Sequence, residues 1–165
     1  MNSSMTPDLS QLLEKLPINA RHPVVCGGFV TPFLQFLGYD QFSDIYQSFP
    51  TGNGNKSDYA VKKTGPNETS FVQAVATNAF KSEPEIIGEV KLRRLSLEEG
   101  TGGYEGTLNQ LRGYLLDPNC QSAKWGFLTN ANHIQWFRKH GKVIHPVTAS
   151  IEINPSNIID VANDI

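Results

Sequence analysis

The sequence carries little charge and shows no excess of either sign. Charged residues make up 18% of the 165 residues, and 14 Lys and Arg against 16 Asp and Glu give a formal net charge of -2. Small proteins that hold nucleic acid through phosphate contacts usually carry a strong positive excess. The composition therefore excludes a polybasic nucleic-acid binder, and any role on nucleic acid has to rest on a specific site.

Cysteine and long apolar runs are also scarce. The two cysteines, Cys26 and Cys120, cannot build a disulfide framework and match no zinc-ligand spacing, so we expect both to be reduced and structural. The most apolar stretch, residues 24–37, contains polar residues and a proline and is too short to span a bilayer. The first ten residues lack the basic and apolar regions of a secretory signal. We expect a soluble, cytoplasmic protein that does not bind membranes.

The residues that are present suit one folded domain. Hydrophobic residues make up 39% and aromatic residues 10%, which is enough material for a core at this length. We expect a single domain over residues 1–165 with its core at about 25–153.

The periodic segments predict an α/β fold with a mixed sheet flanked by helices. Helices are expected at 7–16, 24–37, 107–116 and in the tail from 157, with Gly38 ending the second. Segment 70–80 fits a helix or a strand, and we assign it as a helix. Strands are expected at 42–49, 58–61, 85–92, 125–129, 134–137 and 143–153. The polar segments 50–55 and 96–106 are expected as loops, with Gly100 to Gly103 mobile near the site.

The strand at 85–92 contains the residues that indicate chemistry. Strand alternation places Glu89 and Lys91 on one face, while Val90 points the other way into apolar packing. Two charges on a buried strand are costly unless a partner such as a bound cation compensates them. Asp58, at the start of an earlier strand, is the nearest carboxylate that would complete a paired site. The alternative is a solvated pair on an edge strand.

Four short motifs carry a family resemblance. They are Ser57-Asp58-Tyr59-Ala60, Ile87-Gly88-Glu89-Val90-Lys91, Gln110-Leu111-Arg112-Gly113-Tyr114, and Gly126-Phe127-Leu128-Thr129-Asn130 followed by Ile134-Gln135-Trp136-Phe137. Together they resemble the N-terminal nuclease domain of the restriction subunit of type I restriction enzymes, which belongs to the PD-(D/E)xK nuclease superfamily. The resemblance covers roughly residues 25–140. Its metal-site motif is generic to the superfamily, whereas the Gln-x-x-x-Tyr helix and the Leu-Thr-Asn turn are more particular.

This resemblance implies a restriction-endonuclease-like fold and a metal-dependent DNA endonuclease. Asp58 and Glu89, with the backbone carbonyl of Val90, would hold Mg²⁺, for which Mn²⁺ can substitute. Lys91 would be the catalytic lysine. Gln110 would belong to the catalytic residues. It lies four residues before Tyr114 on one helix face, and both side chains would support the site or contact the DNA backbone.

The partners follow from the same resemblance. Arg93, Arg94 and Arg112 would contact DNA phosphates, the alternative being solvated surface charge. A homodimer, or separate motor and specificity subunits, would complete the enzyme. This chain supplies no ATP site, because segment 52–57 departs from the phosphate-loop pattern at the glycine that should precede the lysine.

The sequence departs from the superfamily in two respects, and one is that the spacing from Asp58 to Glu89 is longer than the usual compact hairpin. Many members place an acidic residue on the first core helix, but residues 21–38 contain none, and Glu14 is the only nearby substitute. The four scattered histidines receive little weight as metal ligands beside the carboxylates. Two other readings therefore stay open: a catalytically inactive nuclease-fold module for nucleic-acid binding or assembly, and an unrelated α/β protein with a chance Glu-x-Lys, in which Asp58 and Glu89 would lie far apart.

Overall fold

A seven-stranded mixed sheet forms the framework, and helices cover both of its faces. The computed structural model describes residues 7–165. The strands are β1 (Ile45–Gly52), β2 (Asn55–Val61), β3 (Ile86–Val90), β4 (Trp125–Thr129), β5 (His133–His140), β6 (Val143–Pro146) and β7 (Ile151–Glu152). The helices are α1 (Leu9–Lys15), α2 (His22–Val25), α3 (Thr31–Phe36), α4 (Phe71–Thr77), α5 (Gly102–Leu115) and α6 (Ile158–Asn163). The expected α/β class is confirmed, and the architecture is compatible with a restriction-endonuclease-like fold.

The strand order places the expected chemistry-bearing strand inside the sheet. The order is β1-β2-β3-β4-β5-β6, and β7 also pairs with β5. Strands β3 and β4 run parallel, while the other neighbours run antiparallel. Helix α5 lies in the crossover that a parallel pair requires. All five residues of β3 are buried, so the reading of Glu89 and Lys91 as a solvated edge-strand pair is wrong.

Strands β1 and β2 form a hairpin that is longer than the sequence predicts. Residues 50–52 and Asn55, expected in a loop, belong to the strands instead, because the strands continue to a tight turn between Gly52 and Asn55. Asn53 and Gly54 both have positive φ, at 57° and 80°, as this kind of hairpin turn requires. Phe42, expected inside a strand, is instead 81% exposed. The Asp40 carboxylate accepts the backbone N–H of Phe42 and ends the helical opening in a turn.

The helical opening runs from His22 to Phe36 with one irregular turn. A π-helical segment, Cys26–Val30, joins α2 to α3, and Pro32 lies at the first turn of α3, where a missing N–H is tolerated. Gly38, with φ of 105°, ends this helix as predicted.

Helix α5 begins earlier than the sequence predicts. The hydroxyl of Thr101 accepts the N–H of Tyr104 at 3.3 Å and caps the helix, so Gly102 and Gly103 lie in its first turn rather than in a loop. The helix assigned at 70–80 is confirmed as α4, capped by Ser70.

The C-terminal segment differs from the single strand expected at 143–153. Strands β6 and β7 pair with different parts of β5, and between them the N–H of Val147 bonds to the carbonyl of Trp136 at 2.8 Å. The helix expected in the tail is confirmed as α6. Within residues 7–165, no helix combines the length and apolar character needed to cross a membrane.

Two hydrophobic clusters form the core, one on each face of the sheet. The first is built on Phe29, Phe33 and Phe127 beneath α1, α3 and α6, and the second on Phe71 and Leu111 beneath α4 and α5. Leu9 and Ile158 belong to the first cluster, so the core extends beyond the expected residues 25–153.

Candidate active site

The candidate site lies where strands β2 and β3 separate. Their pairing ends at Tyr59 and Gly88, and continuing the same register would place Asp58 opposite Glu89. The N–H of Val90 instead donates to Asp58 Oδ2 at 2.7 Å. A carboxylate therefore occupies the gap that strand pairing leaves, and the expected acids lie next to each other rather than far apart, as a chance Glu-x-Lys would have them.

Glu89 is a buried acid between a carboxylate and an ammonium group. Its residue is 5% exposed, its carboxyl group lies in hydrogen-bonding range of Asp58, and its Oε2 lies 3.3 Å from Lys91 Nζ. Burial, together with adjacent Asp58, raises the pKa of Glu89 to about 8, although the charge of Lys91 acts in the opposite direction. The ionised form of Glu89 is therefore costly in this position, and a bound cation would offset that cost.

Helix α5 adds the two polar residues that the sequence pattern placed on one helix face. Lys91 Nζ donates to Gln110 Oε1 at 2.6 Å, which fixes the ammonium group beside Glu89. Tyr114 lies one helical turn further along. Burial raises the pKa of its hydroxyl, and the charges of Glu89, Asp58 and Asp117 act in the same direction.

His22 is a site residue that the sequence analysis missed. It is the first residue of α2, and its Nε2 donates to Asp58 Oδ1 at 2.9 Å. It therefore lies on the first core helix, where the superfamily resemblance led us to look for an acid. Glu14 is exposed, and in the described chain no hydrogen bond or ion pair joins it to Asp58 or Glu89. The only sequence signal for His22 was its position at the start of this helix.

A cysteine close to His22 does not make a nucleophilic triad. Cys26 Sγ lies 3.7 Å from His22 Nε2, the nitrogen that bonds to Asp58, and 4.0 Å from Nδ1, so it lies beside the ring rather than in line with Nδ1. A triad needs the nucleophile and the carboxylate on opposite ring nitrogens. Burial raises the pKa of Cys26 to about 12, with further contributions from the nearby carboxylates, so its thiol stays protonated. Cys26 is a structural residue of the π-helical segment, as expected.

Tyr59 holds this irregular helix against the sheet. Its fully buried hydroxyl donates to the Cys26 carbonyl at 3.1 Å and accepts from the hydroxyl of Thr31 at 2.7 Å. Asp58 precedes Tyr59 in β2, so one strand both carries the carboxylate and anchors the helix that brings His22 to it.

The arginines expected to contact DNA lie in three different environments. Arg93 Nη1 donates to the Leu16 carbonyl at 2.5 Å, so this guanidinium bonds within the protein. Arg94 is exposed just after β3. Arg112 is also exposed. It follows Gln110 by two residues in α5, and this spacing puts it on the opposite side of the helix. The structure therefore does not bring these three side chains together.

The donor set at the site fits Mg²⁺. This ion usually binds one or two carboxylates and keeps several waters, so the pair Asp58 and Glu89 is sufficient. A divalent cation bound beside the two acids would favour the ionised form of Glu89, which burial and Asp58 disfavour. Within the described residues, no three His, Cys, Asp or Glu side chains converge as a metal-binding group.

In comparisons with known proteins, no family model, curated protein or solved structure matches the chain.

Proposed function

We propose that this protein is a metal-dependent DNA endonuclease that hydrolyses phosphodiester bonds at the site between β2 and β3. One observation supports it most: Asp58 on β2 meets Glu89 and Lys91, at the end of β3 and just after it, in one partly buried cluster. The arrangement agrees with the roles that the family resemblance implies.

Each site residue has a chemical role in this proposal. Asp58 and Glu89 hold Mg²⁺, with the Val90 carbonyl as a further oxygen ligand. When bound, the ion supplies Lewis-acid polarisation of the scissile phosphate and lowers the pKa of a bound water. Lys91 orients the attacking water and stabilises negative charge on the phosphate as the bond to the water forms. Its own orientation comes from the bond to Gln110.

His22 and Tyr114 complete the surroundings of the acids. The Nε2–H of His22 fixes the rotamer of Asp58, whose second oxygen is fixed by the Val90 N–H. Both oxygens of Asp58 are thus oriented before any ligand binds, which is the condition for a precise carboxylate site. In this proposal the hydroxyl of Tyr114 donates to a DNA phosphate near the acids.

Plasmid cleavage tests the proposal directly. Purified protein with Mg²⁺ or Mn²⁺ should nick or linearise supercoiled plasmid, and Asp58→Asn, Glu89→Gln and Lys91→Met should each lower the rate by about 10²-fold or more. Glu14→Gln is the matched control, because it removes an exposed acid of the first helix and should leave the rate unchanged. Cleavage that persists equally in all three site variants would refute the assignment.

Thermal melting separates an enzyme from an inactive module. Mn²⁺ at 100 times its dissociation constant should add about 2.7 kcal/mol, which raises the melting temperature of a chain this size by roughly 5–10 °C. The rise should vanish in Asp58→Asn and Glu89→Gln but remain in Glu14→Gln. A rise without plasmid cleavage would favour the inactive nuclease-fold module, and no rise would remove the metal site.

DNA is the partner in this proposal, and the protein acts in the cytoplasm, either as a homodimer or with separate motor and specificity subunits. A homodimer would supply two such sites, which a double-strand break requires.

A further inference from the structure

The loop that follows Lys91 is tied to two other parts of the chain through Arg93. The backbone N–H of Arg93 donates to the Ala20 carbonyl at 3.0 Å, and its Nη1 donates to the Leu16 carbonyl. These two carbonyls flank the segment that links α1 to α2. His22 follows two residues after Ala20, so the hydrogen bond from Arg93 holds the backbone just before α2 begins.

The same side chain is joined to the turn between β4 and β5. Arg93 Nε donates to Asn132 Oδ1 at 2.9 Å, and Asn132 Nδ2 donates back to the Arg93 carbonyl at 3.0 Å. This turn is itself rigid, since Asn130 Oδ1 accepts two backbone N–H groups of the turn and its Nδ2 donates to the Leu95 carbonyl at 2.6 Å. The Thr129 carbonyl at its start accepts the N–H of Lys91 at 3.0 Å.

The guanidinium of Arg93 is therefore committed to protein acceptors on two sides. Burial lowers its pKa, which agrees with a group that has exchanged water for carbonyl oxygens. The planar guanidinium bonds to Asn132 through Nε and to the Leu16 carbonyl through Nη1. A lysine at the same position has a single nitrogen and cannot reproduce this pair of bonds.

We propose that Arg93 is a positioning residue of the candidate site rather than a DNA contact. It holds the start of α2, and so His22 against Asp58, and it holds the chain after β3, and so Lys91 beside Glu89. The inference rests on the proposed function for its effect on catalysis. Displacements of about 1 Å in a catalytic group lower rates by up to about 10²-fold, which is the effect expected when this support is lost.

The first measurement needs no cleavage activity. The imidazole signals of His22, assigned by their loss in His22→Gln, are followed by nuclear magnetic resonance in Arg93→Gln and Arg93→Lys. Both variants should shift the His22 signals while the signals of exposed His140 stay in place. Arg94→Gln, which removes the neighbouring exposed arginine, should leave the His22 signals unchanged. Unshifted His22 signals in both Arg93 variants would overturn the inference, whatever the protein does to DNA.

The second measurement separates positioning from DNA contact. In plasmid cleavage, Arg93→Gln and Arg93→Lys should lower kcat about 10- to 100-fold and leave KM unchanged. The slope of log DNA affinity against log salt, measured with Ca²⁺ in place of Mg²⁺, should also stay unchanged. A DNA-contacting arginine would give the opposite pattern, with unchanged kcat and a slope reduced by about 0.9 in Arg93→Gln, and that result would overturn the inference.

Controls separate positioning from a general loss of stability. Asp44→Asn removes a buried hydrogen-bonded acid that accepts N–H groups from Asp40 and Thr64, away from β3, and should lower the melting temperature without changing kcat or the His22 signals. If Arg93→Gln does not fold, Asn132→Ala removes one partner and keeps the arginine, and it should shift His22 in the same direction. An inactive wild type would refute the proposed function, and the His22 signals would still decide the role of Arg93.

Discussion

Gly88 offers a sharp test of how the central strands pack. It lies in β3 directly opposite Phe127 of β4, and an added Cβ would overlap the Phe127 ring. The ring cannot easily move aside, because it lies 5.2 Å from the ring of Trp136 and 6.4 Å from that of Tyr59. Overpacking of this kind costs about 1–3 kcal/mol. We expect Gly88→Ala to be destabilised by this amount, which corresponds to about 2–4 °C in melting temperature for each kcal/mol.

A double-mutant cycle shows whether the Phe127 ring causes the loss. Phe127→Leu alone should destabilise by roughly 1–2 kcal/mol, because it leaves space in the core. In Gly88→Ala with Phe127→Leu, the methyl group enters that space, so the double variant should be more stable than the sum of the single effects by about 1 kcal/mol. Urea denaturation of the four proteins supplies the free energies of unfolding. Additive effects, or a fully stable Gly88→Ala, would refute the reasoning.

Three further predictions concern polar groups remote from Gly88. Burial acts to raise the pKa of Asp44, but hydrogen bonds from backbone N–H groups and hydroxyls outweigh it and lower the pKa. The stability difference between wild type and Asp44→Asn should therefore be constant above about pH 5 and shrink as the pH falls below about 4, as urea midpoints across this range will show. Asp117→Asn should lower the free energy of unfolding by about 1–3 kcal/mol and lower hydrogen-exchange protection in the β1–β2 hairpin, because Asp117 Oδ2 accepts a hydrogen bond from the Thr51 hydroxyl at 2.6 Å. Unchanged protection would contradict this. Lys139→Met should lower the urea midpoint, since Lys139 Nζ donates to the Leu115 carbonyl at 2.6 Å; an equal or higher midpoint would show that this bond does not stabilise the chain.

Sequence reasoning anticipated that Glu89 and Lys91 lie side by side because the relevant rule is local. Alternation along one strand puts Glu89 and Lys91 on the same face, and helical spacing does the same for Gln110 and Tyr114. Each pair depends on a period of a few residues and on no knowledge of packing. The buried position of β3 then followed from its apolar neighbours.

The parts that sequence reasoning missed depend on how distant segments dock. His22 meets Asp58 because the helical opening docks on the sheet, where the Tyr59 hydroxyl bonds to the Cys26 carbonyl. Arg93 was assigned to a DNA-facing surface because a sequence shows its charge but not the backbone carbonyls that bind it. The early start of α5 was missed because Gly102 and Gly103 disfavour a helix by sequence, although the Thr101 side chain caps the helix in the structure.

The parallel pairing of β3 with β4 has a consequence for the order of folding. The hairpin β1–β2 can close through its own tight turn, whereas the hydrogen bond from Val90 to Asp58 spans 32 positions of the chain. Lys91 and Gln110 both lie on the crossover that must close before β4 can join, and their bond spans only 19 positions. The ammonium–amide bond can therefore form before the parallel ladder does, and an early kinetic intermediate would hold the lysine on its amide while β4 is still unpaired.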